Sequence, residues 1–392
     1  MRVAASRRLI GRGLRLASTL ATEPGRTLRV SGSLARLLVK TNMETYVATV
    51  EASADGREID VAPWVSSSDG GDLSIEAACA IGGTAIVSVP ASFNVEVNMD
   101  ERCDVEMAGW LEGSVSINVN KGSISVNTVR GLLTTLTTGL GDVSVKHVEG
   151  NLDLSAGFGA SGNVDLGKIM GEEVNVETSG RVCCRALYAK NMYIRADGGI
   201  DASVLESERE GILVLGGGTS SIGSCSGNVG AVLSGNAQFD AQVSNTLQRL
   251  WIKGGPHASS AVIHLPEQLA LDASIRAARI ELDHRLGPRP VESRDHRLGP
   301  RPKESSQREG SVIKWLGTLG VLSRPAKGSH PSMSNLAGAN SSDTLPVAPF
   351  DAIDSAGSDM ARLTLDMGNG NVKVEVRSWM DKMKQTASMT SC

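Results

Sequence analysis

Apolar and polar residues alternate along this chain with a period of two. The alternation is clear from Leu73-Ser74-Ile75 through Ala85-Ile86-Val87-Ser88-Val89-Pro90 and Phe93-Asn94-Val95-Glu96-Val97, and it is densest between residues 105 and 255. Segments there include Val115-Ser116-Ile117-Asn118-Val119, Ile124-Ser125-Val126, Val143-Ser144-Val145, Leu152-Asp153-Leu154, Val164-Asp165-Leu166 and Val174-Asn175-Val176. A strand turns successive side chains to opposite faces. The pattern therefore predicts half-buried β-strands, with Val, Ile and Leu inward and Ser, Asn, Thr and Asp outward. Each short segment closes on Gly or on Asn-Gly-like turn chemistry, and segments recur about every 10 residues. Pairs of them recur about every 20 residues, as Gly113, Gly131, Gly150 and Gly171 show. An all-β solenoid of stacked ~20-residue rungs is the fold this predicts, each rung burying its apolar face on its neighbours. A β-sandwich is the alternative that the same strand spacing allows.

Outside the dense region the pattern is weaker. Strands are expected within residues 28–61, at Leu28-Arg29-Val30 and Tyr46-Val47-Ala48-Thr49-Val50, and late ones at Val262-Ile263-His264-Leu265-Pro266 and Ile280-Glu281-Leu282. Residues 283–358 hold eight of the thirteen prolines and a tandem duplication. The segment from Asp283 to Arg294 is followed by a copy at 295–306 that is identical at ten of twelve positions. A stretch that tolerates such a copy reads as a disordered Pro/Ser-rich insertion. Within it Val312-Ile313-Lys314-Trp315-Leu316, with Leu319, is expected to form a short helix that docks back. Leu363-Thr364-Leu365-Asp366-Met367 and Val372-Lys373-Val374-Glu375-Val376, joined through Asn369-Gly370, predict a hairpin or a rung. It would complete the sheet left open near residue 282, and Trp379, Met380 and Met383 suggest a short closing helix. The organisation expected is a leader at 1–22, a β-repeat domain at 28–282, an insertion at 283–358, and strands plus a helix at 359–392.

Composition sharpens this picture. Apolar residues make up 41% of the 392 and aromatics 3%, so the core must be built from Val, Ile, Leu and Ala. Of 44 glycines, 25 lie between residues 109 and 255. A Gly inside a helix costs ~1 kcal/mol, which argues against a helical bundle. A net charge of −4 gives no case for nucleic-acid binding. No apolar run approaches the ~18 residues of a transmembrane helix, so no membrane span is expected. Residues 1–22 carry Arg2, Arg7, Arg8, Arg12 and Arg15 with no acid, interleaved with Ser6, Ser18, Thr19 and several Leu. That composition is expected of an organellar transit peptide, and the dominance of Arg favours the mitochondrial matrix over plastids.

The serial units Gly113-Ser114-Val115-Ser116-Ile117, Gly122-Ser123-Ile124-Ser125-Val126, Gly141-Asp142-Val143-Ser144-Val145 and Gly162-Asn163-Val164-Asp165-Leu166 carry a family resemblance. So do the Val89-Pro90 strand leading into Phe93-Asn94-Val95-Glu96-Val97 and the closing Gly370-Asn371-Val372-Lys373-Val374. Over roughly 84–260 and 361–377 the chain resembles the adhesin-like family of β-solenoid domains of unknown function, whose eukaryotic members include small intracellular proteins. The resemblance implies a surface or interaction role and brings no shared catalytic residues. The Arg-rich leader and the 283–358 insertion depart from bacterial adhesins.

Candidate chemistry is thin. Gly157-Phe158-Gly159-Ala160-Ser161-Gly162 matches a dinucleotide fingerprint, but a strand, Asn163-Val164-Asp165-Leu166, follows where a helix is needed. Gly223-Ser224-Cys225-Ser226-Gly227 resembles a nucleophile elbow, with Asp240, His257 and His264 downstream, yet Asn228-Val229-Gly230 is a poor helix start. Gly216-Gly217-Gly218 lacks the Gly-Lys-Ser/Thr of a phosphate loop. His147, His257, His264 and His330 have no metal-ligand spacing, and His284 and His296 belong to the duplication. Asn340-Ser341-Ser342 is a glycosylation sequon by pattern. The outward acids Asp142, Asp153, Asp165, Asp197 and Asp201 could serve glycan chemistry only with aromatic platforms nearby, for which Phe158, Tyr188 and Tyr193 are available. The six cysteines, Cys79, Cys103, Cys183, Cys184, Cys225 and Cys392, form no C-x-x-C and read as free, mostly buried thiols. No catalytic, cofactor-binding or metal residue is assigned. The expected role is a non-enzymatic scaffold or protein-interaction module of the mitochondrion. The alternative is a hydrolase or lyase acting on a glycan or acyl substrate.

Overall fold

A computed structural model describes residues 18–21, 25–42, 47–54, 57–59, 65–67, 72–77, 83–157, 162–255, 259–267, 269, 271–283, 286, 313–319 and 361–377. Among them every regular element is a β-strand. The first ten are Ser18–Ala21 (β1), Thr27–Gly32 (β2), Arg36–Asn42 (β3), Val47–Ala54 (β4), Arg57–Ile59 (β5), Val65–Ser67 (β6), Leu73–Ala77 (β7), Thr84–Pro90 (β8), Asn94–Arg102 (β9) and Asp104–Leu111 (β10). Val115–Lys121 (β11), Ile124–Val129 (β12), Leu133–Leu140 (β13), Val143–Glu149 (β14) and Asn151–Ala156 (β15) follow. Five long strands come next: Val164–Thr178 (β16), Val182–Ala196 (β17), Ile200–Leu215 (β18), Thr219–Leu233 (β19) and Gln238–Gly254 (β20). The last six are Ser260–Pro266 (β21), Leu271–Ala277 (β22), Arg279–Leu282 (β23), Ile313–Leu319 (β24), Ala361–Asp366 (β25) and Asn371–Arg377 (β26).

The strands pair in parallel with every second strand, as β9–β11–β13–β15 and β10–β12–β14–β16 do. Two ladders result, and each rung gives one segment to each. We call the ladder through β9, β11, β13 and β15 face 1, and the ladder through β10, β12 and β14 face 2. Each long strand contributes its first half to face 2 and its second half to face 1; in β16, residues 164–170 pair with β14 and 174–178 with β15. The fold is thus the stacked, open β-solenoid that the ~20-residue period predicts.

Inward side chains stack rung on rung. On face 2 one interior column runs Val126, Val145, Leu166, Cys184, Ala202, Ile222, Ala241, Ile263, Val374. All nine are buried. Burying a Val, Leu or Ile contributes roughly 1.5–3 kcal/mol, so the repetition of such columns, with few aromatics, stabilises the stack. Two columns of glycine mark the corners. One runs Gly113, Gly131, Gly150, Gly171, and a Cβ added to any of the last three would strike the carbonyl of the glycine before it. The other includes Gly122, Gly141, Gly162 and Gly180, where Thr138 and Thr178 hydroxyls donate to the Gly122 and Gly162 carbonyls.

Rung order departs from chain order at both ends. The rung made of β2 and β3 lies between the rung of β7 and β8 and that of β9 and β10. At the other end, β25 sits between β20 and β22, and β26 between β21 and β23. Residues 361–377 are therefore a rung, not a hairpin, and they enter the stack between two earlier rungs instead of extending it past residue 282. Antiparallel strands cover the ends: β4 on β8, β6 on β7 and β24 on β22. The apolar island around Trp315 is a strand, β24, and not the expected helix, because β22 offers it a free edge. β1 pairs antiparallel with β4, so residues 18–21 of the Arg-rich leader join the sheet. The rest of the 283–358 insertion, apart from 283, 286 and 313–319, and the closing helix near Trp379 lie outside the described residues.

Candidate functional site

Cys225 occupies a core position. It continues the interior column Val129, Val148, Ile169, Leu187, Leu205, and Val243 follows it. It is fully buried, and burial pushes its thiol up to about 12. A nucleophilic cysteine needs the opposite, a stabilised thiolate at a partly exposed site. Gly223 to Gly227 belong to β19, where the strand turns from face 2 to face 1 with Gly227 at positive φ, and strand rather than helix follows. His264 stands on the outward side of β21, across the sheet from the interior column that holds Cys225. Cys183 and Cys184 point to opposite sides of β17, Cys184 buried and Cys183 half-buried.

The outward polar residues are tied to neighbouring rungs. Asp142 accepts from the Asn163 backbone N–H at 2.7 Å, and Asp153 from Asn175 at 2.9 Å. Asp201 pairs with Arg181 at 3.3 Å, and Asp197 lies 3.9 Å from Arg195. Asp165 and Asp201 share one outward column with Cys183 between them, two rung steps or about 10 Å apart. Asp153 belongs to face 1, Asp165 and Asp201 to face 2, and Asp142 and Asp197 lie between strands, so the five acids form no common cluster. Asp104 shows the structural role of such groups: the Ser123 backbone N–H, with the Ser123 hydroxyl, holds its carboxyl below the usual range. Gly216–Gly218 forms a corner beside Gly198 and Asp197. Phe158, His257, His284, His296, His330 and Asn340 lie outside the described residues.

Two clusters remain on face 2. Arg130 lies over the Trp110 ring, 5.0 Å from its centroid, and Glu149 receives His147 Nε2 at 2.9 Å and Arg130 Nε at 3.5 Å. The hydrogen bond from His147, then the charge of Arg130, keeps the Glu149 carboxyl below its ordinary value. The second cluster joins three strands at the inserted C-terminal rung. His264 is 1% exposed, with Asp240 at 3.0 Å from Nε2 and Glu375 at 3.2 Å from Nδ1. These oxygens lie close enough for charge pairing but off the ring's N–H directions, so neither nitrogen makes an aligned hydrogen bond. Lys373 stands 2.5 Å from the other Glu375 oxygen. Among the described residues no three His, Cys, Asp or Glu side chains gather as a metal site would require. No helix there is long and apolar enough to cross a membrane.

No family model matches the chain, and no curated protein does. A solved structure from Clostridium sporogenes, described as a "putative cell adhesion protein", is similar at 10% identity. The likeness covers 92% of this chain and 99% of that one, with a TM-score of 0.14.

Proposed function

We propose that this chain is a non-enzymatic scaffold of the mitochondrial matrix whose outer faces dock protein partners. The observation that carries the reading is the register of those faces. Outward side chains such as Ser125, Ser144 and Asp165 repeat in columns at rung spacing, held in place by the interior columns behind them. A rigid, repeated surface suits binding, as in other solenoids. The compartment rests on the five arginines and absent acids of residues 1–22. Because β1 pairs with β4, processing on the N-terminal side of Ser18 keeps that strand.

Two measurements test this. Residues 1–30 fused to a fluorescent reporter should enter mitochondria, and Glu at Arg7, Arg8, Arg12 and Arg15 should leave it cytosolic; plastid or secretory fluorescence would overturn the compartment. Photo-crosslinking residues placed at outward positions Ser116, Ser125 and Asp165 should give adducts of discrete mass inside the organelle. Absence of adducts from every outward position on both faces would overturn the scaffold.

A further inference from the structure

The outer side of face 2 gathers charge where the C-terminal rung enters the stack. Two outward columns run side by side there. One holds Asp240, Val262, Lys373 and Glu281, and the other Gln242, His264 and Glu375, with Asp283 at its end. His264 stands on this outward side and yet is 1% exposed. Its two ring nitrogens face carboxylates from opposite neighbours, Asp240 on β20 at 3.0 Å and Glu375 on β26 at 3.2 Å, and neither makes an aligned hydrogen bond. Among the described residues the other charged groups on these strands are Lys373 on β26 and Arg279, Glu281 and Asp283 on or beside β23; β21 itself brings none. Lys373 pairs with Glu375 and Arg279 with Glu281, so carboxylates outnumber cations around the imidazole.

We infer that His264, Asp240 and Glu375 form a proton-dependent latch that holds the C-terminal rung in the stack. A neutral imidazole has one N–H and one lone pair, so it cannot favour carboxylates at both nitrogens. The lone pair would face an oxygen of like charge, whereas an imidazolium is attracted to both neighbours. A proton placed on one carboxyl relieves the same conflict, so the extra proton belongs to the three groups together. Burial by itself favours the neutral ring. Two carboxylates at contact distance, amid an excess of acids, outweigh it. Asp240 belongs to the strand beside β21 and stays if the rung leaves; Glu375 leaves with β26. With the rung out, His264 loses one of its two carboxylates and regains water, as an ordinary histidine that changes charge near pH 6.5 does. The seated rung therefore binds the proton more tightly than the released one. Seating is fully supported below that range and weakens as pH rises through it and beyond. The inference goes beyond the scaffold reading and does not depend on compartment or partner.

The test follows amide hydrogen exchange of the full chain between pH 6 and pH 8, corrected for the intrinsic pH dependence of exchange. Protection of residues 363–366 and 372–376 should fall at least tenfold over that range, while β12 and β14, far from the latch, keep theirs. Glu375→Gln removes the charge that leaves with the rung and should flatten the dependence, and His264→Gln should abolish it. Nitrogen NMR of the His264 ring in the unaltered chain reads the proton directly and covers the case in which either variant fails to fold. At pH 6 it should show an imidazolium, or a neutral ring beside a protonated carboxyl. Rung protection that does not change with pH, a change that β12 and β14 share equally, or a dependence that survives both substitutions would overturn the latch. So would a neutral ring at pH 6 with both carboxyls ionised. Failure here leaves the protein-docking reading intact, since crosslinking at Ser116, Ser125 and Asp165 reads other surfaces.

Discussion

Ser125 stands directly beside Ser144 in the parallel ladder between β12 and β14, one rung apart on the outward side of face 2. Asp165 is the next member of the column. Adjacent strands lie ~4.8 Å apart, so cysteines at Ser125 and Ser144 come within disulfide reach after small adjustments. The double variant should crosslink on mild oxidation, read by the loss of two free thiols and a disulfide-linked peptide pair. Cysteines at Ser125 and Asp165, two rungs apart, should not. Equal crosslinking of both pairs would contradict the register.

The same column separates inward from outward positions. Val145 is buried between Val126 and Leu166, whereas Ser144 is half-buried beside the exposed Ser125 and Asp165. Val145→Asp should cost several kcal/mol by leaving an unpartnered carboxylate in the core. Ser144→Asp should stay within ~0.5 kcal/mol. Chemical denaturation of each purified variant measures the difference.

Glycine at the corners allows the rungs to touch. In Gly131→Ala the new methyl would meet the Gly113 carbonyl oxygen, a backbone atom that can move only by separating two rungs. A loss of roughly 1–3 kcal/mol is expected, as for other overpacked sites. Gly217→Ala provides the comparison, because the nearest atom to its added Cβ is Asn236 Oδ1 at 3.5 Å. Thermal melts should show Gly131→Ala clearly lowered and Gly217→Ala close to the parent.

Three interior thiols give stability an alkaline limit. Burial pushes Cys103, Cys184 and Cys225 each from an ordinary 9.0 up to about 12. The unfolded chain therefore ionises these groups at lower pH than the folded chain does. Their contribution to stability is complete below about pH 9 and is lost progressively as pH rises toward 12. Denaturation midpoints measured across that window should fall, and Cys225→Val, which keeps the interior column apolar, should make the fall shallower. An unchanged slope would show that Cys225 does not share in it.

The C-terminal rung is a test of the intercalated order. Removing residues 361–377 takes β25 from between β20 and β22 and β26 from between β21 and β23, and it removes Glu375 from His264. Unpaired strand edges are left on both faces, so aggregation is expected. Adding the same segment as a separate peptide should restore solubility, read by light scattering. A truncated chain that stays soluble and melts cooperatively would count against the insertion.

Much of the solenoid was legible in the chain. Alternation at Val143-Ser144-Val145 and its relatives set which side of each strand is buried, because a strand's period of two follows from backbone geometry alone. Recurrence of Gly113, Gly131, Gly150 and Gly171 set the rung length, since only glycine fits where one corner carbonyl abuts the next. Cys225 was ambiguous: its G-x-C-x-G setting matches a nucleophile turn, and only the strand around it places the thiol in the core. Trp251 gave no sign of its stacking on Gly230 for a similar reason. Its partner in the stack, Gly230, is 21 residues away and carries no side chain to signal the contact.

In the repeat region the sequence alone determined strand identity, facing and rung period, all properties of segments shorter than about 20 residues, whereas β24, whose edge comes from β22, read as a helix. It did not determine which rung lies beside which. Any two alternating segments present nearly the same apolar edge to a parallel neighbour, so local pattern cannot say that β2 and β3 slip beneath the rung that follows them, or that β25 and β26 enter between two earlier rungs. Those choices depend on long-range pairing, on caps such as β4 and β24 that close the outermost ladders, and on groups such as His264, which lies beside Asp240 of the adjacent strand but meets Glu375 only when the last rung is in place.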